Sequence, residues 1–158
     1  MIPVPKSRTT ITCSDCKLKH GETYFMTIRV WNMAGIFTLA TTEGITADLT
    51  PPISGLVLPD NLYMPCVNRC ALAATLRGFR DGESGIKNCV FSVKSSNGTA
   101  VGPGKYKTNT KRTVATNLSL EQRGTYQIAV TCVNSVGESS KEIASSTVKI
   151  DNTPPTKV

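Results

Sequence analysis

Imidazole is nearly absent from this chain of 158 residues. His20 is the only histidine, which excludes a site built on two ring-nitrogen ligands. Trp31 is the only tryptophan, and aromatic residues make up 6%. No run of 18 or more apolar residues occurs, so no membrane span is expected in this segment. Met1-Ile2-Pro3-Val4-Pro5-Lys6 is too polar and too rich in proline to read as a secretory leader. No stretch sustains an apolar period of 3.6 residues over three turns, so packed amphipathic helices are not expected. Neither a P-loop nor a dinucleotide fingerprint occurs, and no cofactor is expected.

What remains is an ordinary apolar fraction of 39% with 12 glycines and a charged fraction of 18%, enough for a packed core. Lysine and arginine number 18 against 11 acidic residues, a net charge of +7. Most of that excess lies beyond residue 52. Its densest point is Lys105, Lys107, Lys111 and Arg112, which reads as a solvated loop or as a patch for anionic groups such as sulfated glycans. The six cysteines are Cys13, Cys16, Cys66, Cys70, Cys89 and Cys132. An even count in a small chain suits a disulfide framework. The alternative is a four-thiolate zinc site from Cys13, Cys16, Cys66 and Cys70, in an intracellular binding domain. Asn97-Gly98-Thr99 and Asn117-Leu118-Ser119 are N-glycosylation sequons, which fit a secreted chain.

The most informative feature is an internal repeat. LKHGETYFMTIRVWNMAG at 18–35 and LEQRGTYQIAVTCVNSVG at 120–137 align at an offset of 102. Asp48-Leu49-Thr50-Pro51-Pro52 and Asp151-Asn152-Thr153-Pro154-Pro155 align at 103, so one residue is inserted between the two blocks. A period near a hundred residues is too long for a solenoid and matches one small sandwich domain. The expected organisation is therefore the second half of one repeat at 1–52, then a complete repeat at 53–158. On this division Met1 is expected to be an internal methionine or a gene-model start. Within the repeat the period is two. Tyr126, Ile128, Val130 and Cys132 alternate with Gln127, Ala129, Thr131 and Val133, and Tyr24, Met26, Ile28 and Val30 do the same. Leu72, Ala74 and Leu76, then Cys89, Phe91 and Val93, then Val114, Thr116, Leu118 and Leu120 follow the pattern, with Gly-, Asn- and Pro-rich turns between runs. Many short alternating runs predict an all-β fold, an antiparallel two-sheet sandwich.

Leu120-x-x-x-Gly124-x-Tyr126-x-Ile128-x-Val130-x-Cys132-x-Asn134-x-x-Gly137 resembles the E–F corner and F–G hairpin of fibronectin type III domains. Gly78-Phe79-Arg80-Asp81-Gly82-Glu83-Ser84-Gly85-Ile86 resembles the B–C junction of such repeats in long extracellular arrays, and the Asp-x-Thr-Pro-Pro boundary resembles their joints. The resemblance covers nearly all of 53–155 and the half unit before it. It implies that Tyr24 and Tyr126 are tyrosine-corner residues whose hydroxyls bond back to nearby backbone. It implies strands E, F and G within 1–52. It places Cys89 on strand C and Cys132 on strand F, where they form either a cross-strand bridge or two buried thiols. Two family features are missing: the aromatic residue usual where Cys89 stands, and a tryptophan near Leu76.

The function expected is a non-enzymatic adhesion or spacer module at the cell surface or outside the cell. Its partners would be protein or glycan ligands and neighbouring repeats, with no nucleic acid. A third reading is an accessory domain of a secreted carbohydrate-active enzyme, with Tyr63 and Tyr106 as its few sugar-platform residues. His20 reads as a surface turn residue, because nothing local supplies a nucleophile and a carboxylate. Asp81 and Glu83 read as turn formers rather than calcium ligands, and Asp151-Asn152 only faintly matches a calcium-binding linker. No metal site is expected.

Overall fold

The computed structural model describes residues 10–108 and 111–156, and all regular structure among them is β. The chain divides into two compact units, Met1–Ala47 and Asp48–Val158. The division falls five residues before the expected boundary at 52/53. Asp48 and Thr50 bond to Ser84 and Asn134 within the second unit, as described below.

The first unit holds β1 (Thr23–Tyr24), β2 (Thr27–Trp31), β3 (Phe37–Thr41) and β4 (Ile45–Thr46). These form two antiparallel ladders, β1 with β4 and β2 with β3. Every residue of β2 and β3 is exposed. Residues 10–16 form no strand, and residues 1–9 of the segment in which strand E was expected lie outside the described residues. A strand needs a partner ladder for its backbone groups, and among the described residues no strand of this unit pairs with that segment.

The second unit is a two-layer sandwich. Its strands are β5 (Leu56–Pro59), β6 (Tyr63–Met64), β7 (Cys70–Arg77), β8 (Ile86–Ser95), β9 (Ala100–Thr108), β10 (Arg112–Leu118), β11 (Thr125–Asn134), β12 (Ile143–Ala144) and β13 (Val148–Ile150). One sheet has the order β10-β7-β5, the other β6-β13-β11-β8-β9 with β12 also on β11. All pairings are antiparallel except β13 with β6, which is parallel. The second sheet is thus mixed, because the short β6 comes from the crossover between β5 and β7 and lies along the last strand.

The core lies between the sheets. Leu72, Ala74 and Leu76 from β7 meet Cys89, Phe91 and Val93 from β8 and Ile128, Val130 and Cys132 from β11. The alternation read from sequence holds along these three strands. It fails in β10, where Thr113 and Ala115 point inward while Val114 and Thr116 face out. The ladder with β7 slips between Ala115 and Leu118, and Asn117 sits there at φ 57. An extra residue in a bulge reverses the facing, so Leu118 and Leu120 return to the core and the start of the strand is out of phase with them.

Candidate functional site

A dense polar constellation among the described residues lies in the second unit where its B–C and F–G loops meet. Asn134, the last residue of β11, is fully buried. Its Oδ1 accepts the Glu138 N–H at 2.8 Å and so closes the F–G turn. Its Nδ2 faces the Asp48 carboxylate at 2.9 Å, the Thr50 carbonyl at 3.0 Å and Asp81 Oδ2 at 3.2 Å. Asp48, itself buried, also accepts the Ser84 hydroxyl at 2.5 Å. Asp81 Oδ1 accepts the N–H groups of Ser84 at 2.9 Å and Gly85 at 3.0 Å, which pins the B–C loop. Partial burial works against the Asp81 charge, but the bonds from Ser84, Asn134 and Gly85 outweigh it and hold its carboxyl below the usual range.

Asp48, Asp81 and Glu83 each place a carboxylate oxygen within 4.8 Å of the others. Oxygens so arranged suit a hard cation by type. In this structure Asp48 and Asp81 accept hydrogen bonds from Asn134, Ser84, Gly85 and Thr50. The arrangement is a polar clamp that ties residues 48–50 to two loops of the second unit. The sequence pointed to Asp81 and Asn134 as turn residues. It did not show that Asp48, 86 positions before Asn134, completes the set. The available signal was the recurrence of Asp-x-Thr-Pro-Pro.

Both copies of that motif fold alike. Thr50 donates its N–H to Asp48 Oδ1 at 3.1 Å, and Thr153 donates its N–H to Asp151 Oδ1 at 2.9 Å. In each copy the threonine hydroxyl donates to the same oxygen. The aspartate two residues back therefore satisfies the last donors before Pro-Pro, which has none to offer. The Thr153 hydroxyl and N–H hold the Asp151 carboxyl below its ordinary value. Asn152 bonds Cys66 through both amide atoms, accepting its N–H at 2.7 Å and donating to its carbonyl at 3.2 Å. It is thereby a structural link between the last joint and the Cys66 loop.

Both tyrosine hydroxyls reach the backbone five residues upstream. Tyr126 accepts the Glu121 N–H at 2.9 Å and Tyr24 accepts the Lys19 N–H at 2.8 Å. A Cβ on Gly124 would stand 2.7 Å from the Tyr126 hydroxyl, so the glycine of the Gly-x-Tyr pattern makes room for the ring. In the first unit that position is Glu22, whose carboxylate instead accepts the Tyr24 hydroxyl at 2.9 Å. His20 is exposed in a turn.

All six cysteines are bridged: Cys13 with Cys16, Cys66 with Cys70, and Cys89 with Cys132. Cys89 and Cys132 are directly opposed on β8 and β11. The bridges at 13–16 and 66–70 leave no thiolates for the four-cysteine zinc alternative. The basic cluster is split. Lys105 and Lys107 are exposed on the edge strand β9, whereas Arg112 is paired with Asp60 at 2.5 Å. Lys111, with Arg77, Lys87, Leu76, Phe79 and Ile86, lines a cleft of about 470 Å³. Asn97 and Asn117 are exposed. Asn97 Oδ1 accepts the Thr99 N–H at 3.0 Å within the β8–β9 turn. Tyr106 is half-buried and stacked on Phe91 with ring centroids 4.9 Å apart, while Tyr63 is exposed under Lys149.

Among solved structures the chain is similar to domains A168–A170 of titin, with 20% identity and a TM-score of 0.57, over 85% of this chain and 43% of that one. It is also similar to the twitchin kinase region from C.elegans, with 16% identity and a TM-score of 0.50, over 68% of this chain and 18% of that one. It thus spans less than half the length of either. No protein-family profile matches the chain, and no curated protein matches it by sequence. With the sheet orders above, these likenesses show an immunoglobulin/fibronectin type III-like β-sandwich fold.

Proposed function

We propose that this chain is a non-enzymatic spacer and adhesion module of a tandem-repeat protein at the cell surface or outside the cell. The observation that carries the compartment is the closure of all six cysteines as three bridges, since such bonds persist in oxidising surroundings and are rare in the cytosol. The spacer role is supported by the two Asp-x-Thr-Pro-Pro joints, which share one local fold, and by the clamp that holds Asp48 and Thr50. Sequon residues Asn97 and Asn117 stand exposed as glycan acceptors. Protein or glycan ligands would meet the loops or the β9 edge, where Lys105 and Lys107 offer positive charge.

The test is alkylation under denaturing, non-reducing conditions, followed by intact mass and a zinc assay, on protein from its native source. The expected result is no alkylated cysteine, no zinc, and added glycan mass at Asn97 or Asn117. Four or more free thiols with one equivalent of zinc would overturn the proposal and place the chain indoors.

A further inference from the structure

The cleft of about 470 Å³ in the second unit takes its walls from both sheets. Residues 75–77 end β7, residues 86–89 begin β8, Thr108 ends β9 and Lys111 precedes β10. The apolar part of the lining is the buried Leu76 with the half-buried Phe79 and Ile86, and the cationic part, Arg77, Lys87 and Lys111, is exposed. The volume is that of a small-molecule site, since ligand pockets run from roughly 300 to 1,000 Å³.

The walls are held by the fold itself. Leu76 donates its N–H to the Lys111 carbonyl at 2.7 Å, and Cys89 is paired with Thr108 across the β8–β9 ladder. The Cys89–Cys132 bridge ties the start of β8 to β11. Against the end of β7, Gly55 packs so closely that a Cβ on it would stand 2.1 Å from the Arg77 carbonyl oxygen. Ile53 and Arg80 exchange backbone bonds next to it, at 2.8 and 3.3 Å. A site with fixed walls spends little of its binding free energy on ordering.

Charge is the second observation. All 11 acidic residues lie in the described part of the chain, and none lines the cleft. No ion pair among the described residues engages Arg77, Lys87 or Lys111, whereas Arg112, next to Lys111, is paired with Asp60. Like charges around a concave surface with low-dielectric walls focus a positive potential into it. An anion from solution is what matches that potential.

We infer that the cleft binds a small amphipathic anion, an aromatic or short acyl body carrying one sulfate, sulfonate, phosphate or carboxylate group. The body lies against Leu76, Phe79 and Ile86, and the anion meets Arg77, Lys87 and Lys111. A bare inorganic anion would leave the apolar wall in water, and a sulfated glycan would set hydroxyl groups against it, so neither gains the apolar burial that the wall offers. The site is separate from the β9 edge at Lys105 and Lys107, and it does not depend on the proposed compartment, so the thiol assay and the following experiment fail separately.

The test is an amide-shift titration of the whole chain at low salt with three probes: naphthalene-2-sulfonate, naphthalene-2-methanol and inorganic sulfate. The sulfonate is expected to shift amides at 75–79, 86–89 and 111 with a Kd of about 1 mM or tighter. The neutral alcohol and sulfate should each bind at least about tenfold more weakly. Lys87→Ala should weaken the sulfonate about two- to fivefold, and Arg77→Ala, Lys87→Ala and Lys111→Ala together about tenfold or more. Lys105→Ala with Lys107→Ala is the control and should change it by less than about twofold. Each variant's own amide spectrum reports its fold, and the comparison of probes on the unaltered chain stands without any variant. Sulfonate shifts absent from 75–79 and 86–89, sulfate or the alcohol binding as tightly as the sulfonate, or full affinity in the folded triple variant would each overturn the inference.

Discussion

Asn134→Ala tests the reasoning about the polar clamp most directly. The side chain is fully buried, with one oxygen and one nitrogen serving two loops and the segment at Asp48–Thr50. Removing it deletes the bond to the Asp48 carboxylate, worth about 1.5–3 kcal/mol, and neutral bonds to Glu138 N–H and the Thr50 carbonyl, worth about 1 kcal/mol each. Asp48 keeps Ser84 and Thr50 as donors, so the lower end applies and the loss is about 3–4 kcal/mol. A domain of this size holds roughly 5–15 kcal/mol in all, and the midpoint of thermal unfolding should fall by on the order of 15 °C. Urea unfolding, followed by exchange of the amides at 126–134, measures it. Asp48→Ala in the Asn134→Ala background should then cost at least about 1.5 kcal/mol less than in the native chain, because the shared bond is already gone. Asn32→Ala is the control: its Oδ1 serves only the exposed turn at Ala34 and Ile36. A loss under about 1 kcal/mol for Asn134→Ala, or strict additivity with Asp48→Ala, would refute the clamp.

Acid should loosen the same region. The Asp81 and Asp151 carboxyls titrate lower in the folded chain than in the unfolded one, so their stabilisation is present above the unfolded value near 4 and is lost as pH falls through the folded values. Urea midpoints between pH 6 and pH 3 should show this, with a shallower fall in Asp81→Asn. Replacing both Cys89 and Cys132 by valine opens a bridge with a sequence separation of 43, which should cost about 4 kcal/mol on loop entropy, read by urea unfolding against the native chain. Tyr126→Phe removes the bond to Glu121 N–H and should cost about 1 kcal/mol. Gly124→Ala should cost more than that, because its Cβ displaces the ring; parallel thermal melts settle the order. Val114→Lys should be nearly neutral and Ala115→Lys should prevent folding of the second unit, and soluble expression with circular dichroism would expose an error in the β10 phase.

Period-two patterning placed β7, β8 and β11 correctly because those strands are unbroken and each buries one face. It misplaced the start of β10 because a bulge at Asn117 changes facing without any change in composition. Strand E was expected within 1–52 from the family resemblance; residues 10–16 form no strand, because a strand exists only with a partner, and the partner is not a local property. Parallel pairing of β6 with β13 joins residues 86 positions apart, Tyr63 with Lys149 and Met64 with Ile150, and two-residue strands have no readable period. The clamp was half legible. Asp81 and Asn134 carry turn chemistry that sequence shows, whereas the burial of Asp48 depends on how two distant loops close over it.

The bridge between β8 and β11 also sets how far this module can be drawn out. A pull along the chain from Asp48 toward Pro155 would unravel β5 and β13 from their sheets. It could not lengthen the stretch between Cys89 and Cys132, whose sequence separation of 43 corresponds to roughly 145 Å of extended chain. Stretched singly in oxidised and reduced form, the second unit should give contour-length gains differing by about that length. The oxidised protein would be a tether with a stop, giving way at its ends while β8, β9, β10 and most of β11 stay in a closed loop.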